Sequence, residues 1–209
     1  VLDFDNAFAL FTHGDYMEED GFVVQGLSNA AGATWGADFV GMTADGTDPA
    51  GCIGGNCPVN NPTTYYAAVN DGLMWVANTN GHSFNIQSFS ASFLGNSQTT
   101  YPTTPGYLRL QAFRANGSYV LADFALGGMV NSKFRFNNYV TPAAFAAIPF
   151  VEVYAFGYSC APSCVAFSSD RGQFGIDNID LHVIPEPATG AIFGLGLLGL
   201  GAFARRRKA

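Results

Sequence analysis

The stretch Tyr107-Leu-Arg109-Leu-Gln111-Ala-Phe113-Arg114 places Leu or Ala at every second position and Tyr, Arg, Gln and Phe between them. That two-residue period belongs to a strand with one covered face and one open face. Ala115-Asn116-Gly117 follows, carrying Asn-Gly, the strongest short hairpin signal, and Ser118-Tyr-Val-Leu-Ala-Asp-Phe-Ala-Leu126 then reads as the returning strand. Further strand-like runs lie at Gly21–Gln25, Leu73–Ala77, Phe84–Leu94, Lys133–Tyr139, Phe150–Tyr158 and Gln173–Val183. No stretch of residues 1–184 holds a 3.6-residue amphipathic period. Short strands joined by Gly, Asn and Pro turns predict an all-β fold, an antiparallel β-sandwich of jelly-roll-like form, over residues 1–184. Gly41–Tyr65 lacks either period and reads as a long loop pinned by a cross-link.

The 209 residues suit one domain with a proper core and a short appendage. Charged residues make up only 12% of the chain, about half the usual share. They are also unevenly placed: residues 1–184 hold five basic and fifteen acidic side chains, whereas the tail from Pro185 holds four basic side chains and Glu186. An acidic body with scattered arginines offers no footprint for a phosphate backbone, which excludes nucleic acid as a partner. The opening VLDFDNAF has no leader character and reads as a mature start. Cys52 and Cys57 frame C-IGGN-C, and Cys160 and Cys164 frame C-APS-C. Two short-spaced pairs in Gly/Pro/Asn-rich loops predict two local disulfides formed in an oxidising compartment. A four-thiolate zinc site is the competing assignment, but neither spacing is C-x2-C. Haem is excluded by the lack of C-x-x-C-H.

Ala188–Ala204 is seventeen residues without a charge, preceded by Pro185-Glu186-Pro187 and stopped by Arg205-Arg206-Arg207-Lys208. The length and the basic flank predict a single hydrophobic helix able to span a membrane, whose glycines permit close helix packing. Gly194-Leu-Gly196-Leu-Leu-Gly199 fits G-x-G-x-x-G. A dinucleotide loop would need a strand before it and an acidic residue about twenty positions after it, and neither is present, so no nucleotide is expected. Pro-Glu-Pro, the Gly/Leu-rich segment and the basic terminus together resemble the PEP-CTERM sorting tail of Gram-negative bacteria. That resemblance implies a Sec-type leader, transient anchoring in the inner membrane, recognition of Pro185, Glu186 and Pro187 by an exosortase, and a final place at the cell surface or outside the cell, often in exopolysaccharide matrix. It divides the chain into an extracytoplasmic domain, 1–184, and a sorting tail, 185–209.

The two ends of the body, Leu2-Asp3-Phe4-Asp5-Asn6 and Phe174-Gly-Ile176-Asp177-Asn178-Ile179-Asp180-Leu, resemble jelly-roll modules of the carbohydrate-binding and adhesion type. By that resemblance Asp5 and Asp177, with Asp3 and Asp180 behind them, are ligand candidates for a structural calcium, an ion that takes six to eight hard oxygens. Among the aromatic residues Trp35, Trp75, Tyr65, Tyr66 and Tyr101 are candidates for stacking on sugar rings. Tyr65 and Tyr66, beside the long loop, are expected to be exposed and glycan-binding, and Trp75 to be a core residue. There is no G-x-S-x-G, H-E-x-x-H or P-loop, and Glu152 lacks a partner carboxylate at a glycosidase spacing. The expectation is a non-enzymatic, secreted or surface-displayed adhesive matrix protein. A carbohydrate-binding module for exopolysaccharide and a self-assembling, tail-retaining subunit are the alternatives.

Overall fold

A computed structural model describes residues 1–5, 8–48, 51, 57–95, 100–160, 163–168 and 171–185. In chain order the strands are β1 (Leu10–Thr12), β2 (Tyr16–Glu19), β3 (Phe22–Leu27), β4 (Phe39–Asp45), β5 (Thr64–Ala68), β6 (Leu73–Asn78) and β7 (Phe84–Phe93). There follow β8 (Gly106–Phe113), β9 (Tyr119–Leu126), β10 (Asn137–Val140), the short helix α1 (Ala143–Ala146), β11 (Glu152–Cys160), β12 (Cys164–Val165) and β13 (Phe174–Val183). They form two antiparallel sheets. The first has the order β1-β4-β5-β13-β7-β10, and the second has the order β2-β3-β6-β11-β8-β9 with β12 attached to β11. This is the all-β sandwich that the alternating pattern predicts. The tail expected to form a hydrophobic helix lies outside the described residues. Among the described residues, no helix is long and apolar enough to cross a membrane.

The hairpin read from 107–126 is present in full register, from Tyr107 opposite Ala125 to Phe113 opposite Tyr119. Leu108, Leu110, Ala112, Ala122, Phe124 and Leu126 face inward and are buried, leaving Tyr107, Arg109, Gln111 and Phe113 on the other side of the sheet. The inner faces of both sheets meet in a core rich in phenylalanine. Phe22 packs edge-on against Phe84 at 5.2 Å, and Phe89 against Phe124 at 4.8 Å. Each such ring contributes about 1.5–3 kcal/mol through burial, and the pairing geometry adds to it. Tyr139 of β10 stacks on Phe89 and donates its hydroxyl to the Ala125 carbonyl at 2.9 Å, tying the edges of the two sheets together.

The N-terminus joins the last strand. Leu2 and Ile179 exchange backbone hydrogen bonds of 3.0 and 2.9 Å, and both side chains are buried. β13 lies between β5 and β7 in the interior of the first sheet. Its register against β7 shifts between Asp177 and Asp180, and Asn178 there has φ 50°, a left-handed conformation that Asn tolerates better than most residues.

Four expectations are corrected. Gly41–Asp45 is not loop but part of β4, where residues 40–44 are buried on both sides; a strand covered on both faces shows no polar alternation. Only Asn137–Val140 of the run beginning at Lys133 is a strand. Tyr65 and Tyr66 are both 0% exposed. They point to opposite faces of β5, and both faces are covered: Tyr66 packs between the sheets against Phe4 and Phe11, while Tyr65 packs edge-on against Phe136 at 5.0 Å beneath a satellite core of Met42, Ala44, Ala67 and Leu94. Trp75 is turned outward and half-buried instead of lying in the core, because the inward positions of β6 are Met74 and Val76.

Candidate functional site

The outer face of the second sheet collects the side chains that the alternating strands turn away from the core. One row crosses all six strands: Tyr16 opposite Gln25, Gln25 opposite Trp75, Trp75 opposite Tyr154, Tyr154 opposite Gln111, and Gln111 opposite Leu121. A neighbouring row holds Glu152, Phe113 and Tyr119, and on the other side come Arg109 and Asp123, beside Phe156, which is buried under Phe167, then Tyr158 and Tyr107. The result is a broad surface in which rings alternate with amides, carboxylates and one guanidinium.

Its polar groups are fixed by one another. Trp75 Nε1 donates to Glu152 Oε2 at 2.8 Å, so the carboxylate considered for catalysis instead orients an indole. Arg109 makes a bidentate pair with Asp123, with both N–O distances at 2.6 Å, and its guanidinium lies 4.9 Å from the Tyr158 ring centroid. That pairing holds the guanidinium more firmly protonated than usual. Phe113 packs edge-on against Tyr154 at 5.6 Å. Burial, and then Glu152 beside it, pushes the Tyr154 hydroxyl pKa up. A shallow cavity of about 180 Å³ opens among Tyr107, Arg109, Asp123, Tyr158 and Cys164. Cys160 and Cys164 are joined as a disulfide that fixes β12 to the end of β11, as the spacing predicts. Cys57 is also disulfide-bonded, and Cys52, its expected partner, lies outside the described residues.

On the outer face of the first sheet the loop before β5 folds over β13. Asp177, 0% exposed, accepts hydrogen bonds from Asn61 Nδ2 (2.8 Å), Thr63 Oγ1 (3.0 Å), Asn178 N (2.7 Å) and Asn178 Nδ2 (2.8 Å). Burial raises its pKa to about 6 against these stabilising bonds, and the charge of Asp5 adds to the rise. Asp5 accepts from Thr64 N at 2.9 Å, so Asp5 and Asp177 share this region. Asp3 turns to Glu19, whose pKa is raised to about 7 by burial and then by its hydrogen bond with Asp3. Asp180 lies 3.2 Å from His182 Nε2. The carboxylates, amides and hydroxyl around Asp177 are hard-oxygen groups of the kind calcium takes. A cation there requires Asn61 and Asn178 to present oxygen where each now presents NH2. Among the described residues, no three His, Cys, Asp or Glu side chains converge on one point.

Of the remaining sugar-stacking candidates, Trp35 is 68% exposed over Gly14, and Tyr101 is half-buried against Phe93 and Phe134. The rings at 107, 113, 119, 154 and 158 were not singled out in the sequence. The signal for them was present, since each occupies the non-core phase of a strand whose other phase is Leu, Ala, Val or Phe.

Fold and surface together define a β-sandwich with an aromatic- and amide-rich outer face on its second sheet. Residues 183–208 match the PEP-CTERM protein-sorting motif. The protein is therefore exported to the extracytoplasmic space by membrane-anchored sorting, and the motif implies processing by an exosortase. Pro185, exposed just after β13, is the one residue of the Pro-Glu-Pro triplet among those described; Glu186, Pro187 and Arg205, Arg206, Arg207 and Lys208 lie outside them. No curated protein matches the chain in sequence. Solved structures with similarity include TmCBM61 in complex with β-1,4-galactotriose, at 8% identity and TM-score 0.37, covering 79% of this chain and 90% of that one. The CBM22-2 xylan-binding domain from Paenibacillus barcinonensis Xyn10C gives 12% identity and TM-score 0.36, covering 88% and 98%. A DUF4465 family protein from Bacteroides ovatus gives 8% and 0.37, covering 83% and 92%.

Proposed function

We propose that this protein is a non-catalytic, adhesive component of the cell surface or extracellular matrix, and that it adheres by binding exopolysaccharide on the outer face of its second sheet. The observation that carries this function is the row Gln25–Trp75–Tyr154–Gln111, flanked by Tyr107, Phe113, Tyr119 and Tyr158. The C–H face of a sugar ring is apolar and lies flat on an aromatic ring, while its hydroxyls need donors and acceptors at the rim. Tyr and Trp meet both needs with little side-chain entropy to lose. A body carrying fifteen acidic against five basic side chains repels anionic polymers, so the ligand class is a neutral glycan.

A structural calcium at Asp5 and Asp177, joined by the oxygens of Asn61, Thr63 and Asn178, belongs to the same proposal. It would tie the N-terminal segment to β13 and leave the glycan face untouched.

The test is titration of soluble neutral polysaccharides against wild type and Trp75→Ala/Tyr154→Ala. Loss of two central aromatic contacts should weaken binding by at least about 30-fold, the equivalent of about 2 kcal/mol. Equal affinity in both proteins would overturn the assignment of this face.

A further inference from the structure

The outer face of the first sheet holds a second cleft, and we propose that it is a second site for neutral glycan, so that one molecule bridges two polysaccharide chains. This deepens the glycan-binding function proposed above and rests on it. The cleft, of about 520 Å³, lies between the loop before β5 and the β7–β10 edge. Its base is a row across three strands, Asp177 opposite Ser90 and Ser90 opposite Asn138. Its walls add Asn60, Asn61, Thr63 and Asn178, with Phe136 below.

No lining residue carries a charge, and the one carboxylate beneath, Asp177, is fully buried. What the cleft offers is carboxamide, and each carboxamide has two donors and a two-lone-pair acceptor. Neighbouring hydroxyls on a sugar ring have the same mixed character, so one amide can engage two of them. A phosphate or carboxylate would find no Lys, Arg or His side chain in this lining. The groups are also held in place before any ligand arrives. Asn61 is bonded to Asp177 and receives Thr63 Oγ1 at 2.7 Å, and Ser90 Oγ donates to Asn138 Oδ1 at 2.8 Å. Pre-ordered groups lose little freedom on binding.

The two sites differ in chemistry and point in opposite directions. Each sheet spends its inner face on the shared core, so the two outer faces look away from each other across the thickness of the sandwich. A chain lying along one cannot reach the other. Occupancy of both by different chains turns separate polymers into a network, with avidity beyond either site alone.

The experiment uses short neutral oligosaccharides (gluco-, galacto- and xylo-oligomers) in calorimetry, and the corresponding polysaccharides in viscometry. For the polymer family that binds, wild type should take up two oligosaccharides per chain and raise the viscosity of the polymer. Asn60→Gly/Asn138→Ala alters two exposed cleft residues, and Gly suits the φ of 72° at Asn60. It should keep one site at unchanged affinity and lose the viscosity rise. Trp75→Ala/Tyr154→Ala should keep only the cleft site. One oligosaccharide per wild-type chain that Trp75→Ala/Tyr154→Ala abolishes, or a cleft variant that still takes two and still bridges, overturns the second site and leaves the first standing. A Trp75/Tyr154 variant that behaves as wild type overturns the glycan face itself. An anionic polymer, alginate, serves as the charge control; binding of alginate at the cleft equal to that of the neutral chain would also overturn the proposal.

Discussion

Tyr65 and Trp75 are ten residues apart and lie on comparable strands, yet one is sealed and the other open. β5 is interior to the first sheet, and its outer face is roofed by Phe136 and the segments around it. β6 is interior to the second sheet, where among the described residues Phe167 covers Phe156 on the outer face while Trp75 stays half-exposed. The contrast teaches that exposure of an aromatic in a sandwich follows from the layering above its sheet. A flanking Gly/Pro-rich loop says little, because the loop itself can become the roof.

The strongest way to break this contrast is a pair of truncations. Tyr65→Ala should destabilise by about 3–5 kcal/mol, as large buried aromatics do, whereas Trp75→Ala should cost far less stability while abolishing most glycan binding. Chemical denaturation of the two variants checks it, and equal losses would mean that the outer face is structural. Next comes the pair of aspartates. Asp177 is raised from 3.8 to about 6 in the folded state, so the fold holds the proton more tightly than the unfolded chain does. That stability is present below about pH 4 and is lost as pH rises through 6, an effect of about 3 kcal/mol. Thermal melts should fall between pH 4 and 7 in wild type and fall less steeply in Asp177→Asn, where Glu19, raised to about 7, still contributes. Calcium at pH 7 should restore the wild-type melt and leave the variant unmoved; a wild-type melt indifferent to calcium and chelator removes the metal from the proposal.

Tyr66→Phe sharpens the covered side further. The Tyr66 hydroxyl is buried with no hydrogen-bond partner among the described residues, and removing it should raise stability by about 1 kcal/mol. On the open face Asp123 is 43% exposed in its pair with Arg109. Asp123→Asn should cost less than about 1 kcal/mol, and a larger loss in the same denaturation assay would show that the pair is more than a surface contact.

Much of the fold could be read in the phase of its strands. Leu108, Leu110 and Ala112 against Tyr107, Arg109 and Gln111 gave the sheet, its inner face and, in principle, its binding face. Gly41–Asp45 could not be read that way, because both of its faces are covered and its small residues carry no alternation. Trp75 was misplaced by treating size and hydrophobicity as burial, when its neighbours Met74 and Val76 already held the inward phase. The cleft was beyond reach from sequence alone. Asn61, Ser90, Asn138 and Asn178 are scattered over more than a hundred residues, and only strand register brings them together. The proximity of Asp5 to Asp177 came from family resemblance, not from any local pattern.

The position of β13 has a consequence for how the molecule is made. It is the last strand of the described chain, it sits between β5 and β7, and it ends at Val183, where the sorting motif begins. A chain emerging N-terminus first therefore leaves the first sheet split down its middle until the final strand arrives. Closing such a gap depends on pairings distant in sequence, which are slow to form. The strand that completes the first sheet and the start of the sorting motif are therefore contiguous in sequence, so the domain cannot close before the chain has been made up to the edge of the motif.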